Sequence, residues 1–519
     1  MKPIHLKNIV FQIFTFIIVL GKSNTVFSQT SNLGIFDKSE DIGTCLIKGL
    51  AVYNPEKQEY TMSGSGDNMW YGSDAFHFLY KKMKGDFILQ FEFEFTSPVK
   101  NEHRKVGWMV RNDTSFNSIH LNGTVHNDGL TSIQYRNKKG GNTFEIKMAK
   151  KEQNNIVQLE RRGNRYIFSA GIKGEAFKTI EYMDSENVIN DEALVGMFIV
   201  SHEKDDLQTA IIKNVRITIP AKADYKPYQD YIGSNLEIMD IATGHRKIIF
   251  TAPNSIQAPN WTKNGKTLIY NSEGKIYNFD LKTGQPSVLD TQFAIKNNND
   301  HVLSFDGKML GLSNHKNDKD RQSQIFIVPT KGGTPKLITE KGPSYLHGFS
   351  PDGKNMIFTG GREGVEDFDI YSINIKTKVE TRLTNSPGLD DGSEYSPDGK
   401  YIYFNSVRSG KMQIWRMNPD GSNPERITND ESNNWFPHVS PNGKMIVYLA
   451  FGDDVLPSDH PFYKHVSLHL MDIETREVKI LAHLYGGQGT INVPSWSPDS
   501  KQIAFITNTD LTEYFTKCY

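Results

Sequence analysis

Apolar and polar residues alternate almost without a break along Asp86-Phe-Ile-Leu-Gln-Phe-Glu-Phe-Glu-Phe95, the period of an antiparallel strand with one buried face. Shorter runs of the same kind recur at 106–111, 132–136, 156–161, 165–170, 194–200 and 210–219. Turn formers separate them, among them Lys138-Lys-Gly-Gly141, Arg162-Gly-Asn164 and Lys173-Gly174. Long helical patterns are few. Many short strands joined by Gly/Asn turns predict a β-sandwich over residues 29–220. The stretch 221–234, with Lys226-Pro-Tyr-Gln-Asp-Tyr-Ile-Gly233, loses the alternation and carries Pro and Gly, so it reads as a linker.

From 235 to 519 the pattern repeats itself. Four clear copies are Phe349-Ser-Pro-Asp-Gly-Lys354, Tyr395-Ser-Pro-Asp-Gly-Lys400, Val439-Ser-Pro-Asn-Gly-Lys444 and Trp496-Ser-Pro-Asp-Ser-Lys501. Trp261-Thr-Lys-Asn-Gly-Lys266 and Leu303-Ser-Phe-Asp-Gly-Lys308 are weaker ones. Their Ser or Thr falls at 262, 304, 350, 396, 440 and 497, steps of 42, 46, 46, 44 and 57. A period near 40–45 is that of propeller blades with four strands each. In the Pro-Asp-Gly turn, Pro presets φ while Asp and Gly make the reversal between a blade's first two strands. The last copy has only two strands before the chain stops, and 235–240 with 246–250 supply the other two. The reading is an all-β chain whose second half is a six-bladed propeller closed by strands from both ends of the domain, without a free edge.

Composition narrows the classes. The chain is 519 residues, 37% hydrophobic and 23% charged, an ordinary globular balance. Lys plus Arg (59) nearly equals Asp plus Glu (60), so no global field favours nucleic acid or an anionic membrane surface. Two cysteines, Cys45 and Cys518, exclude a disulfide framework and a Cys-based zinc or iron–sulfur site. At the start, Lys2 and Lys7 precede the apolar run Ile9–Leu20, and Val26-Phe-Ser28 precedes Gln29. That is the layout of a signal peptide over 1–28, cleaved near Ser28/Gln29, and the run is too short to span a bilayer. A secreted or periplasmic protein that does not span the membrane is expected.

The Ser-Pro-Asp-Gly copies closely resemble the WD40-like Pro-Asp repeats of TolB-type β-propellers, over essentially all of 232–507. Phrases such as Val106-Gly-Trp-Met-Val-Arg111 and Val195-Gly-Met-Phe-Ile-Val-Ser-His202 resemble concanavalin/laminin-G-like jelly rolls. Propellers of the TolB type include non-catalytic periplasmic proteins, and related propellers serve as polysaccharide lyases. Sandwiches of the second kind often accompany secreted carbohydrate enzymes.

Propeller geometry points to one mouth of the central channel, where the loops entering each first strand meet those between second and third strands. The residues just before each repeat copy are Asn260, His301, His347, Glu394, His438 and Ser495, taken as ring-equivalent. The second set of loops adds Arg362 and Arg408, and the long 451–464 loop adds His460, Tyr463 and, at its end, His465. Gln488 lies in the Gly-rich approach to the last blade. His469 stands where other blades carry Tyr371 and Trp415 and reads as a wedge between blades; His301 reads as surface.

His and Tyr serve as general bases and acids near neutral pH, and Arg pairs bidentately with a carboxylate. The expected catalytic set is therefore His347, His438, Tyr463 and His465, with Arg362, Arg408, Glu394, Gln488 and Asn260 binding substrate. A divalent metal at the propeller mouth, with His460 as a ligand, is the one cofactor considered. No Ser nucleophile elbow is present. The mouth is richer in His than in acids, which suits β-elimination from a uronic-acid oligosaccharide (lyase or dehydratase chemistry) better than two-carboxylate hydrolysis. The alternative is a non-catalytic TolB-like propeller that binds glycan or envelope proteins.

Overall fold

The computed structural model describes residues 32–226, 228–315 and 322–512, and among them the regular elements are β-strands. The expected signal peptide and its cleavage point lie outside the described residues. No helix among the described residues is long and apolar enough to cross a membrane.

Two seven-stranded antiparallel sheets fill the first part of the chain. At the middle of one, Lys105–Arg111 lies between Glu192–Val200 and His120–His126; at the middle of the other, Phe87–Phe95 lies between Ile156–Arg162 and Glu203–Thr218. Alternation decides the faces. Val106, Trp108 and Val110 enter one shared core with Leu89, Phe91, Leu121 and Phe168, and Trp108 packs 5.1 Å from Phe91. The intervening Lys105 and Arg111 point to the other face, where they are still buried. His120–His126 sends Leu121 and Val125 into that core, and its second face is polar yet enclosed: His120, Asn122 and Thr124 are all fully buried.

The second part forms six blades. Five are four-stranded sheets running outward from the innermost strands Gln257–Trp261, Asn297–Leu303, Ser344–Phe349, Asp390–Tyr395 and Asn433–Val439 (blades 1 to 5). Blade 6 joins Gly233–Asp240 and Arg246–Ala252 from the start to Gln502–Thr509 from the end, with Trp496 bridging Ile503 as its inner edge. The ring is thus closed by the two-ended blade that the incomplete last repeat requires. The first of these strands begins at Gly233, so the segment without regular structure ends two residues before the expected linker boundary.

The repeat turn has a concrete geometry. Ser350 Oγ donates to Asp352 Oδ1 (2.6 Å), which also accepts the Lys354 N–H (3.1 Å), while Asn355 N–H donates back to Ser350 Oγ (2.9 Å). The set recurs at Ser396/Asp398 and Ser497/Asp499, and Gly353 sits at φ +68°, where a side chain is strained.

The sandwich and the propeller are joined by a buried ion cluster. Glu237 of blade 6 accepts from Arg216 of the sandwich (2.6 Å) and from Arg246 (3.0 Å), with all three side chains almost wholly enclosed. The two arginines outweigh the burial that would raise it and hold the Glu237 carboxyl down at about 2.

Candidate active site

All six blades line one cavity of about 1050 Å³ at one mouth of the channel. Every inner strand from blade 1 to blade 5 carries a register shift just before its repeat turn, between Gln257 and Asn260, Asn297 and His301, Leu346 and Gly348, Asp391 and Glu394, and Trp435 and His438. An extra residue bends the strand and re-aims its side chains. Those side chains build the cavity wall.

His347 and Asp391 are its centre. His347 Nε2 lies 2.9 Å from Asp391 Oδ1, an oxygen that also accepts from the Thr359 hydroxyl (2.6 Å) and the Gly392 N–H (2.7 Å). His460, from the long loop of blade 5, places its Nε2 3.9 Å from the second Asp391 oxygen and packs edge-on against Trp435 (4.4 Å between rings). Asp300 lines the same cavity from blade 2, its carboxylate 2.6 Å from the Asn298 amide nitrogen.

Burial works on these groups in opposite directions. It lifts the Asp300 carboxyl to about 6, with the Asp391 charge adding and His347 opposing. It would lift Asp391 too, but the charge and hydrogen bond of His347, followed by His460 and Thr359, win and hold it down at about 2. Burial would lower His347, but Asp391 first and then Asp300 and Glu394 raise it above the ordinary histidine value. One cavity therefore holds a carboxyl that keeps its proton toward neutral pH, a carboxylate that stays charged and an imidazole that favours its charged form.

The rest of the wall is mostly amide and aromatic, with Lys296 and Glu273 as further charged residues in the lining. Gln488 Oε1 accepts from Asn492 (3.0 Å), and its amide nitrogen stands 3.4 Å from Asn299 Oδ1. Tyr231, Tyr345, Phe368 and Phe462 add aromatic faces to the lining.

Of the residues singled out in the sequence, His347, His460 and Gln488 line this cavity. The others do not, each for a visible reason. His438 is buried one layer away: its Nδ1 is 2.7 Å from Glu394 Oε2 and its Nε2 is held by the Ile491 carbonyl, so both ring nitrogens are occupied. Glu394 divides its oxygens between His438 and the Val439 N–H (3.1 Å), and the strand Asp390–Tyr395 that carries it is buried. Asn260 latches neighbouring inner strands, donating to the Pro494 carbonyl and accepting from Leu303 N–H at 2.5 and 3.2 Å.

Arg362 fits Glu380 with two hydrogen bonds (3.0 and 3.1 Å) and lies over the Phe358 and Tyr371 rings. Arg408 holds Asp390 (2.7 Å) over Phe404 and Trp415. Both arginines brace loops and are spoken for. Tyr463 accepts the Ile232 N–H (3.0 Å) and strengthens the strap between the two parts of the chain; burial lifts its phenol to about 12. His465 faces away from the channel, 3.1 Å from Glu160 of the sandwich, in a separate cleft of about 340 Å³. His301 is fully buried rather than on the surface, and burial lowers it to about 4. His469 pairs with Tyr448 as Tyr371 pairs with Phe358 and Trp415 with Phe404, the wedge position.

The mixture has one cause. Asn260, Glu394 and His438 stand two residues before the repeat Ser/Thr, whereas His301 and His347 stand three before it, so the six positions are not ring-equivalent. Gly348, not His347, pairs as Glu394 and His438 do, with Ile357, Tyr403 and Val447 in turn. The position that does line the cavity is five before: Gln257, Asn299, Tyr345, Asp391 and Asn492. Asp391, Asp300, Asn299 and Asn492 are the site residues missed, and that spacing was the signal available for three of the four, Asp300 standing one residue off it.

As for a metal, ligand atoms of three His, Cys, Asp or Glu residues come within 4.8 Å of one another at one place among the described residues, and it is not the channel mouth.

The TolB β-propeller domain family matches residues 341–514. An uncharacterized protein of Agrobacterium fabrum is 47% identical over 277 residues, 53% of this chain and 92% of that one. The Tol-Pal system protein TolB of Francisella tularensis is 24% identical over 67% of this chain and 85% of its own. A solved TolB-like protein of Agrobacterium tumefaciens superposes with a TM-score of 0.51 at 45% identity, covering 54% of this chain and 99% of its own. Six blades closed from both ends, the Ser-Pro-Asp-Gly turns and these matches together make the chain a member of the TolB-type β-propeller family.

Proposed function

We propose that the channel mouth is the active site of an exported carbohydrate-active enzyme that carries out β-elimination on uronic-acid-containing oligosaccharides. The observation that carries this reading is the divergence of two carboxyls in one cavity, Asp300 lifted to about 6 and Asp391 lowered to about 2. Opposed environments of this kind separate an acid from a charge-holding partner.

In the reaction, His460 takes the C5 proton of the uronate. The released electron pair forms the C4=C5 bond as the C4–O bond breaks, and protonated Asp300 gives its proton to the departing oxygen. His347, kept charged by Asp391, neutralises the sugar carboxylate and the enolate character that develops on it. A departing sugar makes the enzyme a lyase; a departing water makes it a dehydratase. Arg362 and Arg408 have no part in this scheme, since their guanidinium groups are bound to Glu380 and Asp390. The Asn and Gln wall with its aromatic rim suits sugar hydroxyls and ring faces.

The test is incubation with a panel of uronic-acid oligosaccharides, followed through the absorbance of the unsaturated product. The expected result is product with at least one substrate, lost in His347→Ala. A panel without product, in which the same oligosaccharides or an envelope protein nonetheless bind and His347→Ala weakens that binding, supports the second reading. That reading is a non-catalytic TolB-like propeller, favoured by the amide-rich stretch 297–299 with Gln488 and Asn492 and by the Tyr231, Tyr345, Phe368 and Phe462 rim.

A further inference from the structure

Three side chains at the ends of two central strands of the sandwich converge without any part in the channel. His103 precedes the strand Lys105–Arg111, His126 ends the strand His120–His126, and Asp128 sits in the turn that follows. One ligand atom from each lies within 4.8 Å of the others, and His103 Nδ1 is 3.9 Å from Asp128 Oδ2.

The backbone holds this arrangement together. Asp128 N–H donates to the Glu102 carbonyl (3.1 Å) and Asn127 N–H to the Arg104 carbonyl (3.0 Å), so the loop carrying His103 is tied to the turn carrying Asp128. The Arg104 guanidinium repeats the tie through Asn127 Oδ1 at 2.7 Å. On the inner side His126 is 5% exposed, and its Nδ1 is buried without a hydrogen-bond partner. Its Nε2 lies 3.4 Å from the Gln134 amide nitrogen; with the Gln134 amide turned over, its oxygen accepts the Nε2 proton and Nδ1 is left to bind an ion. A buried imidazole nitrogen with no partner is costly unless something else satisfies it.

We propose that His103, His126 and Asp128 form a site for one divalent transition ion of the zinc class. Two imidazoles and one carboxylate are the ligands such ions prefer, whereas calcium and magnesium call for oxygen ligands throughout. The fourth position faces solvent, because the His103 side chain is 53% exposed. Asp128, whose side chain is 11% exposed, also pairs with Lys151 (60% exposed) and accepts the Leu130 N–H on its other oxygen (3.1 Å). The Lys151 end of the pair lies in solvent and swings away when a dication takes the same carboxylate oxygen. The His202 ring stands 5.5 Å from that of His103.

The experiment titrates the untagged, metal-stripped full chain with cobalt(II), read by its visible absorption, and with zinc by calorimetry. One equivalent bound per chain is expected, with His103→Ala weakening it at least tenfold and His347→Ala leaving it unchanged. Because His103 is exposed, its replacement keeps the fold, and the elimination activity of that variant stays at the wild-type level. Equal affinity in wild type and His103→Ala, or loss of the bound equivalent in His347→Ala, overturns the assignment.

Discussion

His347 Nε2 stands 2.9 Å from Asp391 Oδ1, joining the inner strands of blades 3 and 4 across the cavity floor. Neither group owes its state to burial alone. Burial would lower His347 and raise Asp391, and each moves the other way because of its partner.

That coupling is open to measurement. In Asp391→Asn the charge that raises His347 is gone while its burial remains, so its titration, followed by NMR of the imidazole protons, falls from above the ordinary histidine value to below it. A raised histidine contributes stability that is complete below its unfolded pKa and disappears as pH rises through its folded one. Wild type therefore loses this contribution on going above neutral pH, and the variant has none to lose.

Asp300 has the reverse sign from Asp391. Its folded pKa of about 6 lies above the ordinary aspartate value of 3.8, so the folded state holds the proton more tightly than the unfolded one. Stability falls as pH rises from about 4 to about 6, by roughly 3 kcal/mol at 1.4 kcal/mol per unit. Asp300→Asn removes that slope. Denaturant unfolding at several pH values across the window measures it, and parallel curves for the two proteins would falsify the assignment.

Glu237 carries the junction between the two parts of the chain. Glu237→Gln leaves Arg216 and Arg246 buried with their charge uncompensated, a loss of about 3–5 kcal/mol. The expected result is a lower melting temperature together with faster proteolysis within 221–232, between the sandwich and the first propeller strand. Since its carboxyl is depressed to about 2, the stabilisation is present above the unfolded value and is lost as pH drops toward 2.

The blades were legible because the repeat turn is local chemistry. Ser350, Pro351, Asp352 and Gly353 make the reversal by themselves, and the spacing of the copies counts the blades. The site was less so. A register shift in an inner strand changes which side chain reaches the channel, and one residue of offset turns a strand's pattern over. That is how Gly348, and not His347, came to share a register with Glu394 and His438. The fates of Arg362 and His465 were hidden for another reason: Glu380 and Glu160 lie 18 and 305 positions away in sequence.

His438 and Arg362 are therefore structural in this account. His438→Ala strands the Glu394 carboxylate and the Ile491 carbonyl, and Arg362→Lys replaces a two-point fit to Glu380 with a single charge. Each is expected to cost about 1–3 kcal/mol of stability. Below the melting transition, KM and the pH dependence of turnover stay those of wild type, which steady-state kinetics on the folded variants checks.

The most direct test of the central claim is the rate of unsaturated-product formation across pH, wild type beside Asp300→Asn, on the panel of uronic-acid oligosaccharides. With Asp300 as the proton donor, the wild-type rate falls as pH climbs past about 6, and the variant is slower by about 10²–10⁴-fold and lacks that fall. A variant that keeps the wild-type rate and the same alkaline limb contradicts it.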